Sequence, residues 1–259
     1  MIPVNWGDEL RLSLRESSAF HLEMQVQNLK LEDDDNLCLR AARSFALEFK
    51  KVFELKMTLI KKIPTGAGLG GGSSDAAQVL RALADFYKLS HSNPRLLRVA
   101  KSLGADVPFA LGGRPAWCTG IGEKLKPLQW LHGRWGFVIV VSRSHPVPTP
   151  WAYRELDRAR PNFGPRDGLS GLPDWLLRPC EVPALENDFE AVVLKARRPL
   201  RAVQRSLCEA GAKAVRMSGS GSAFFGVFED LQAAQKAAQR LNRRGFEAVA
   251  TSVFTGART

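Results

Sequence analysis

The sequence predicts an α+β fold, and three observations carry that expectation. The 259 residues suit one large domain or two small ones. Runs at helical and at alternating spacing follow one another with no internal repeat. The tail reads helix, strand, strand, helix, strand, the order of helices laid on one face of an antiparallel sheet.

The elements follow in order. Glu9–Arg15 and His21–Gln27 alternate loosely and read as strands. The acidic run Glu32–Asp35 ends in Asn36, an N-cap type, and Leu37, Ala41, Ala42, Phe45 and Phe49 then recur at helical spacing. Phe53–Ile63 reads as a strand stopped by Pro64. After a glycine-rich loop, a helix is expected from Ser73 to Tyr87, with Ala76, Val79, Leu80 and Leu83 on its apolar face. A second helix covers Pro94–Leu103, its proline in the first turn. Trp135–Val141 is dense in apolar, β-branched residues and reads as a buried strand. His145–Pro150 is proline-rich, and Arg160–Pro183, rich in proline and glycine, is the expected inter-domain or flexible segment. The tail elements are Leu200–Ala210, Ala214–Met217, Ala223–Phe228, Leu231–Asn242 and Glu247–Val253.

Composition removes several function classes. With 45% hydrophobic and 24% charged residues the chain is globular, not disordered. No apolar run reaches the roughly 18 residues of a membrane span, so no membrane partner is expected. The start lacks the apolar core of a signal peptide. Cys38, Cys118, Cys180 and Cys208 form no CxxC pair, and the histidines form no HExxH, so a zinc site is unsupported. A reducing, cytoplasmic location is the expectation. Lys and Arg outnumber Asp and Glu by 37 to 26, which suits an anionic partner. The excess gathers after Lys195, at 12 basic against 4 acidic residues. The only aromatic residues there are Phe, with no Tyr or Trp, so nucleic acid is not the expected partner.

The strongest signal is the loop Pro64-Thr65-Gly66-Ala67-Gly68-Leu69-Gly70-Gly71-Gly72-Ser73-Ser74. It lies between a strand and an amphipathic helix. Glycine lets backbone N–H groups converge on a ligand, and the helix start adds unpaired N–H groups and a positive dipole end. Together these suit phosphates. Ser73 and Ser74 are placed to act as N-cap, phosphate donor or magnesium ligand. A Walker A loop is excluded because no Lys stands between Gly66 and Ser74. A dinucleotide fold needs a second strand ending in an acidic residue, and the chain gives a second helix instead. A purely structural glycine turn stays open, and Asp106, in a Gly-Ala-Asp-Val-Pro turn, reads on chemistry alone as a general base or as a cap.

The stretch PTGAGLGGGSSDAA at 64–77 resembles the phosphate loop of the GHMP kinase superfamily. Its GLGGGSSDAA form is similar to one branch, whose members phosphorylate a cytidine diphosphate ester in non-mevalonate isoprenoid synthesis. Five other stretches resemble that branch in order. They are DNL with RAA (35–42), GADVPF with GGRPAWCTGIGE (104–123), VPTPWAY (147–153), NDFE (187–190) and MSGSGS (217–222). The resemblance implies a two-domain α+β GHMP kinase fold, with a ribosomal protein S5 domain 2-like N-terminal part that binds ATP (1–141) and a ferredoxin-like C-terminal part (142–259). It implies an ATP-dependent kinase using Mg2+, with Asp106 as catalytic base, residues 64–74 holding the ATP phosphates, and Gly219 and Ser220 adding to the cradle. Asn36 would touch the nucleotide, Ser74 the magnesium, and Thr149 and Tyr153 the small-molecule cytidine diphosphate substrate. A monomer or weak homodimer is expected. Other superfamily kinases, and a nucleotide-binding relic without turnover, are the alternative readings.

One departure from the pattern stands out. The superfamily branch begins with a lysine-bearing A-K-x-N-L strand and a G-x-R-x-D-G-Y-H segment, and this sequence has neither. The resemblance therefore implies that a lysine beside the catalytic aspartate and a Tyr-His pair at the cytosine end are absent, that Met1 is a misassigned start or the activity is reduced, and that a sheet edge is exposed.

Overall fold

The computed structural model describes residues 1–28, 36–128, 135–160 and 185–254. The acidic run at Glu32–Asp35 and the proline- and glycine-rich segment after Arg160 lie outside them. Two compact units divide the chain, one of Met1–Ile63 and Gly70–Leu128, the other of Pro64–Leu69 and Gln129–Phe254. The glycine loop is thus shared. Its first six residues belong to the second unit, and Gly70 onward to the first.

In the first unit, strands β1 (Glu9–Glu16), β2 (His21–Gln27) and β3 (Phe53–Ile60) form a sheet in the order β1-β3-β2. β1 runs antiparallel to β3 and β2 parallel to it. A parallel pair needs a crossover, and α1 (Leu37–Phe49) supplies it. The alternation of β3 turns Phe53, Leu55, Met57 and Leu59 inward. These join a core built with Ala41 and Phe45 of α1, Leu80 and Leu83 of α2 (Gly71–Phe86), Leu96 of α3 (Pro94–Leu103) and Leu111 of α4 (Val107–Gly112). Each of the Leu, Phe and Met side chains contributes about 1.5–3 kcal/mol by burial. The hairpin of β4 (Ala116–Thr119) and β5 (Lys124–Pro127) completes the unit.

The second unit is a four-stranded antiparallel sheet of β6 (Gly136–Val141), β7 (Ala214–Met217), β8 (Phe224–Phe228) and β9 (Glu247–Ser252) in the order β7-β8-β6-β9. Its helices are α5 (Thr149–Ala159), α6 (Asp188–Ala196), α7 (Leu200–Glu209) and α8 (Leu231–Arg243). Val138, Val140 and Phe224 of the sheet pack with Leu200, Leu207, Ala237 and Leu241 of the helices. With helices between β6 and β7 and between β8 and β9, this is the ferredoxin-like β-α-β-β-α-β order. Among the described residues no helix is long and apolar enough to cross a membrane.

Two boundaries of the expected elements differ by more than one residue. β3 stops at Ile60 rather than Ile63, because the N–H groups of Lys62 and Ile63 donate to Asp8 Oδ1 at 2.5 and 2.8 Å instead of to a strand. α2 starts at Gly71 rather than Ser73. A side chain at Gly71 would meet Ile63 Cγ2 at 2.9 Å, so glycine is what lets the first turn seat against Ile63.

Candidate active site

The second unit holds the first half of the glycine loop against the turn between β7 and β8. Gly66 O accepts from Val147 N at 3.3 Å, and Ala67 O from Ala223 N at 3.0 Å. Ser218 Oγ donates to Gly68 O at 2.8 Å. The partner turn is closed by Ser218 N to Ala223 O at 2.8 Å and Gly221 N to Ser218 O at 2.9 Å. Gly68 has a φ of +72°, and a Cβ there would lie 2.1 Å from Ser218 O. The position therefore excludes every side chain on two grounds, conformation and space. Gly219 and Ser220 lie in the same turn. A Cβ on Gly219 would sit 3.0 Å from Gly68 O. Ser220 is buried, with its Oγ 3.0 Å from Thr149 Oγ1 at the start of α5.

The first unit holds the second half of the loop and Asp106. Gly70, at φ +67°, is the N-cap of α2 and offers no side-chain cap, so the serines are not the cap. The helix begins two residues before the expected start, which puts Ser73 and Ser74 in its first turn, Ser74 exposed. Ser74 N bonds Gly70 O at 2.9 Å. The N–H groups before it, at Gly71 to Ser73, have no partner within the helix and carry the positive dipole end.

Asp106 occupies the N-cap position of α4 without making a side-chain cap bond. Its Oδ2 lies 4.0 Å from where a Gly70 Cβ would be, and its Oδ1 lies 3.9 Å from the same point at Gly122. Two glycines thus clear the space around one carboxyl group. Burial pushes that carboxyl above the ordinary carboxylate range, against a smaller opposing pull from the Met1 amino group.

Beneath the start of α2 lies a cluster that sequence reading does not single out. The buried Lys61 ammonium is hydrogen-bonded to Asp8 Oδ2 and, at 2.8 Å, to Asp75 Oδ2. Burial works against the Lys61 charge, but the two carboxylates more than offset it and hold its pKa above the usual value. Asp75 is pushed up to about 6 by burial, which outweighs the pull of Lys61. The Cys38 thiol beside them is pushed up to about 12, by burial first and Asp75 second. The cluster ties the chain before β1, the end of β3 and the first turns of α2 together. Buried charges persist only when paired in this way, and the three residues, far apart in the chain, carry no local sign of it in the sequence.

The remaining expected site residues are placed as follows. Asn36 caps α1, its Oδ1 accepting from Cys38 N at 2.9 Å. Thr149 opens α5 against Ser220. Tyr153, about half exposed, packs edge-on against Phe189 of α6 with ring centroids 4.9 Å apart. Among the described residues no group of three or more His, Cys, Asp or Glu is arranged to hold a metal. A magnesium ion held mostly by phosphates and water needs no such group.

Comparison with known proteins gives the family. The GHMP kinases N terminal domain matches residues 36–114, and the GHMP kinases C terminal domain matches residues 175–247. A 4-diphosphocytidyl-2-C-methyl-D-erythritol kinase of Chlorobium phaeobacteroides (strain BS1) is 40% identical, over 97% of this chain and 87% of its own. One of Solidesulfovibrio magneticus is 41% identical, over 92% and 82%. Among solved structures, a 4-(cytidine 5'-diphospho)-2C-methyl-D-erythritol kinase has a TM-score of 0.75 at 37% identity, covering 95% of this chain and 87% of that one. A homoserine kinase from Cytophaga hutchinsonii, at 19% identity, TM-score 0.69 and coverage of 98% and 89%, shares the fold.

Proposed function

We infer the reaction from the family: the chain belongs to the 4-diphosphocytidyl-2-C-methyl-D-erythritol kinases, phosphotransferases of the GHMP superfamily. On this reading it transfers the γ-phosphate of ATP to the 2-hydroxyl of 4-(cytidine 5'-diphospho)-2-C-methyl-D-erythritol, in the non-mevalonate route to isoprenoid precursors. The observation that carries the reading is the Asp106 carboxyl, half-buried and facing Gly70, where the glycine loop becomes helix α2.

Phosphoryl transfer asks for positioning, neutralised charge and a route for the nucleophile's proton. The N–H groups of Gly71 to Ser73 and the dipole of α2 are suited to the phosphate oxygens. Glycines at 66, 68 and 70 let the backbone approach them closely. Asp106 takes the proton of the attacking hydroxyl. Burial raises its pKa, which makes it a stronger base than a solvated carboxylate. Magnesium would be held by the Ser74 hydroxyl and the phosphates, and it supplies charge neutralisation. Thr149 and Tyr153 face the substrate and Asn36 the nucleotide. Both ligands are polyanions, in keeping with a formal net charge of +11. The protein works in the cytoplasm as a monomer or weak homodimer, with no nucleic-acid or membrane partner.

The test is ADP release by this chain with magnesium-ATP and the cytidine substrate, beside homoserine and mevalonate. Turnover with the cytidine substrate alone is expected. Turnover with a different acceptor would reassign it within the superfamily. Nucleotide binding without turnover on any acceptor would make it a nucleotide-binding relic.

A further inference from the structure

The segment Glu186–Glu190 carries two side chains that take hold of the end of β7. Among the described residues β7 is an edge strand in the order β7-β8-β6-β9, so its outer N–H and C=O groups face no neighbouring strand there. Asn187 and Glu190 stand in for one at Met217. Asn187 Nδ2 donates to Met217 O at 2.7 Å and to Gly219 O at 2.8 Å. Glu190 Oε2 accepts from Met217 N at 2.9 Å, while its Oε1 accepts from Gln204 Nε2 at 2.8 Å. The remaining amide oxygen of Asn187 accepts from Phe189 N at 2.9 Å and caps α6. One side chain therefore serves a helix start and a glycine turn at once, with both N–H donors spent on the turn.

What Asn187 holds is the turn that holds the phosphate loop. Gly219 O is fixed by Asn187, and the same residue's Cα sits so near Gly68 that a Cβ would come within 3.0 Å of Gly68 O. Ser218, one residue earlier, bonds Gly68 O, and Ala223 bonds Ala67 O. The Gly66–Leu69 backbone has few side chains of its own with which to fix its path. Its position is borrowed from Ser218–Ala223, whose outer side rests on Asn187.

We propose that Asn187, supported by Glu190, is a positioning residue for the phosphate-binding loop. It sets nucleotide affinity through Gly219 and Ser218 rather than by contact with the nucleotide. This rests on the reading that residues 64–74 bind the ATP phosphates.

A helix cap alone predicts something different, and substitution separates the two. Asn187→Ser keeps an N-cap of similar quality but loses both donors to the turn. Asn187→Asp keeps the cap and sets a carboxylate against two carbonyl oxygens. The measurements are the Kd for magnesium-AMP-PNP, KM for ATP and for the cytidine substrate, Tm, and amide hydrogen exchange. Losing two hydrogen bonds to this turn is expected to raise the nucleotide Kd and the ATP KM about tenfold in Asn187→Ser, and more in Asn187→Asp. The KM for the cytidine substrate and the Tm stay near wild type. Exchange at Gly66–Leu69 and Gly219–Ser222 quickens, while that in β8 and α8 does not. Unchanged nucleotide Kd and loop exchange in both variants would reduce Asn187 to a cap and overturn the proposal. So would a general loss in which both KM values and the Tm move together. If wild type binds no nucleotide, the reading of the loop fails, and the exchange data still decide whether Asn187 holds it.

Discussion

Replacing Gly68 by alanine tests the loop most sharply when set beside the same change at Gly66. Both glycines have positive φ, +66° at Gly66 and +72° at Gly68. Alanine at either position therefore meets a left-handed penalty of about 1–2 kcal/mol. The surroundings differ. The nearest atoms to a Cβ at Gly66 are 3.8 Å away, in ordinary contact. At Gly68 the same atom falls 2.1 Å from Ser218 O and 2.8 Å from Gly221 N, both backbone. The loop and its partner turn must part by more than 1 Å before that overlap becomes ordinary contact near 3.4 Å. They cannot do so and keep the Ser218–Gly68 bond. A displacement of that size at a group that positions phosphate costs on the order of 10²-fold in rate. We expect Gly66→Ala to lose about 1–2 kcal/mol of stability or less, with a modest rise in ATP KM. Gly68→Ala should lose on the order of 10²-fold in kcat/KM for ATP, through KM as well as kcat. The assays are steady-state kinetics with ATP varied and urea unfolding of each variant. Equal kinetics for the two variants would refute the reasoning, because then the contact with Ser218 and Gly221 would not matter to the loop's work.

Three further outcomes follow from the same geometry. Asp106→Asn should lower turnover by about 10²–10⁴-fold, the usual contribution of a general base, while magnesium-AMP-PNP titration shows nucleotide binding retained. Near-normal turnover would remove Asp106 from the chemistry. Ser218→Ala gives up the 2.8 Å bond to Gly68 O and should raise the ATP KM about 3- to 10-fold, with Ser218→Thr restoring most of it. Asp75 titrates near 6 in the fold against 3.8 in the open chain. The folded state therefore holds more protons between those values, and stability falls as pH rises through the window. Lys61, Asp8 and Cys38 surround it, so the effect is bounded at about 3 kcal/mol by the distance between the two values. Denaturant midpoints of wild type and Asp75→Asn should converge below pH 4 and separate toward pH 7 in favour of Asn. Parallel curves would show that Lys61 already holds Asp75 ionised throughout.

Much of the fold was legible because it rests on local rules. The limits of β2 and α3 follow from alternation and from a proline in a first turn. Asn36 reads as a cap and is one. What escaped the sequence depends on side chains distant in the chain. β3 ends early because Asp8, more than fifty residues away, captures its last N–H groups. α5 hides in a proline-rich stretch, yet Pro148 is its N-cap and Pro150 lies in its first turn, where the missing N–H costs nothing. β4 and β5 are four residues each and carry too short a pattern to read. The site divides in the same way. The glycine loop and Asp106 stand out as motifs, since glycine density and an acidic turn are visible one residue at a time. The pairing of Gly68 with Ser218, 150 residues apart, and the burial of Lys61 between two aspartates have no local sign. Nor does Asn187, whose cap is readable in sequence but whose two remaining bonds reach strand β7.

The central claim is that this chain's glycine loop holds the phosphates of ATP, and the most direct measurement is amide exchange of the wild-type protein with and without magnesium-AMP-PNP. The account predicts slowed exchange at Gly66–Ser74 and at Gly219–Ser222, with Asp106→Asn showing the same pattern. Protection confined to other segments, with these amides unchanged by saturating nucleotide, would contradict it.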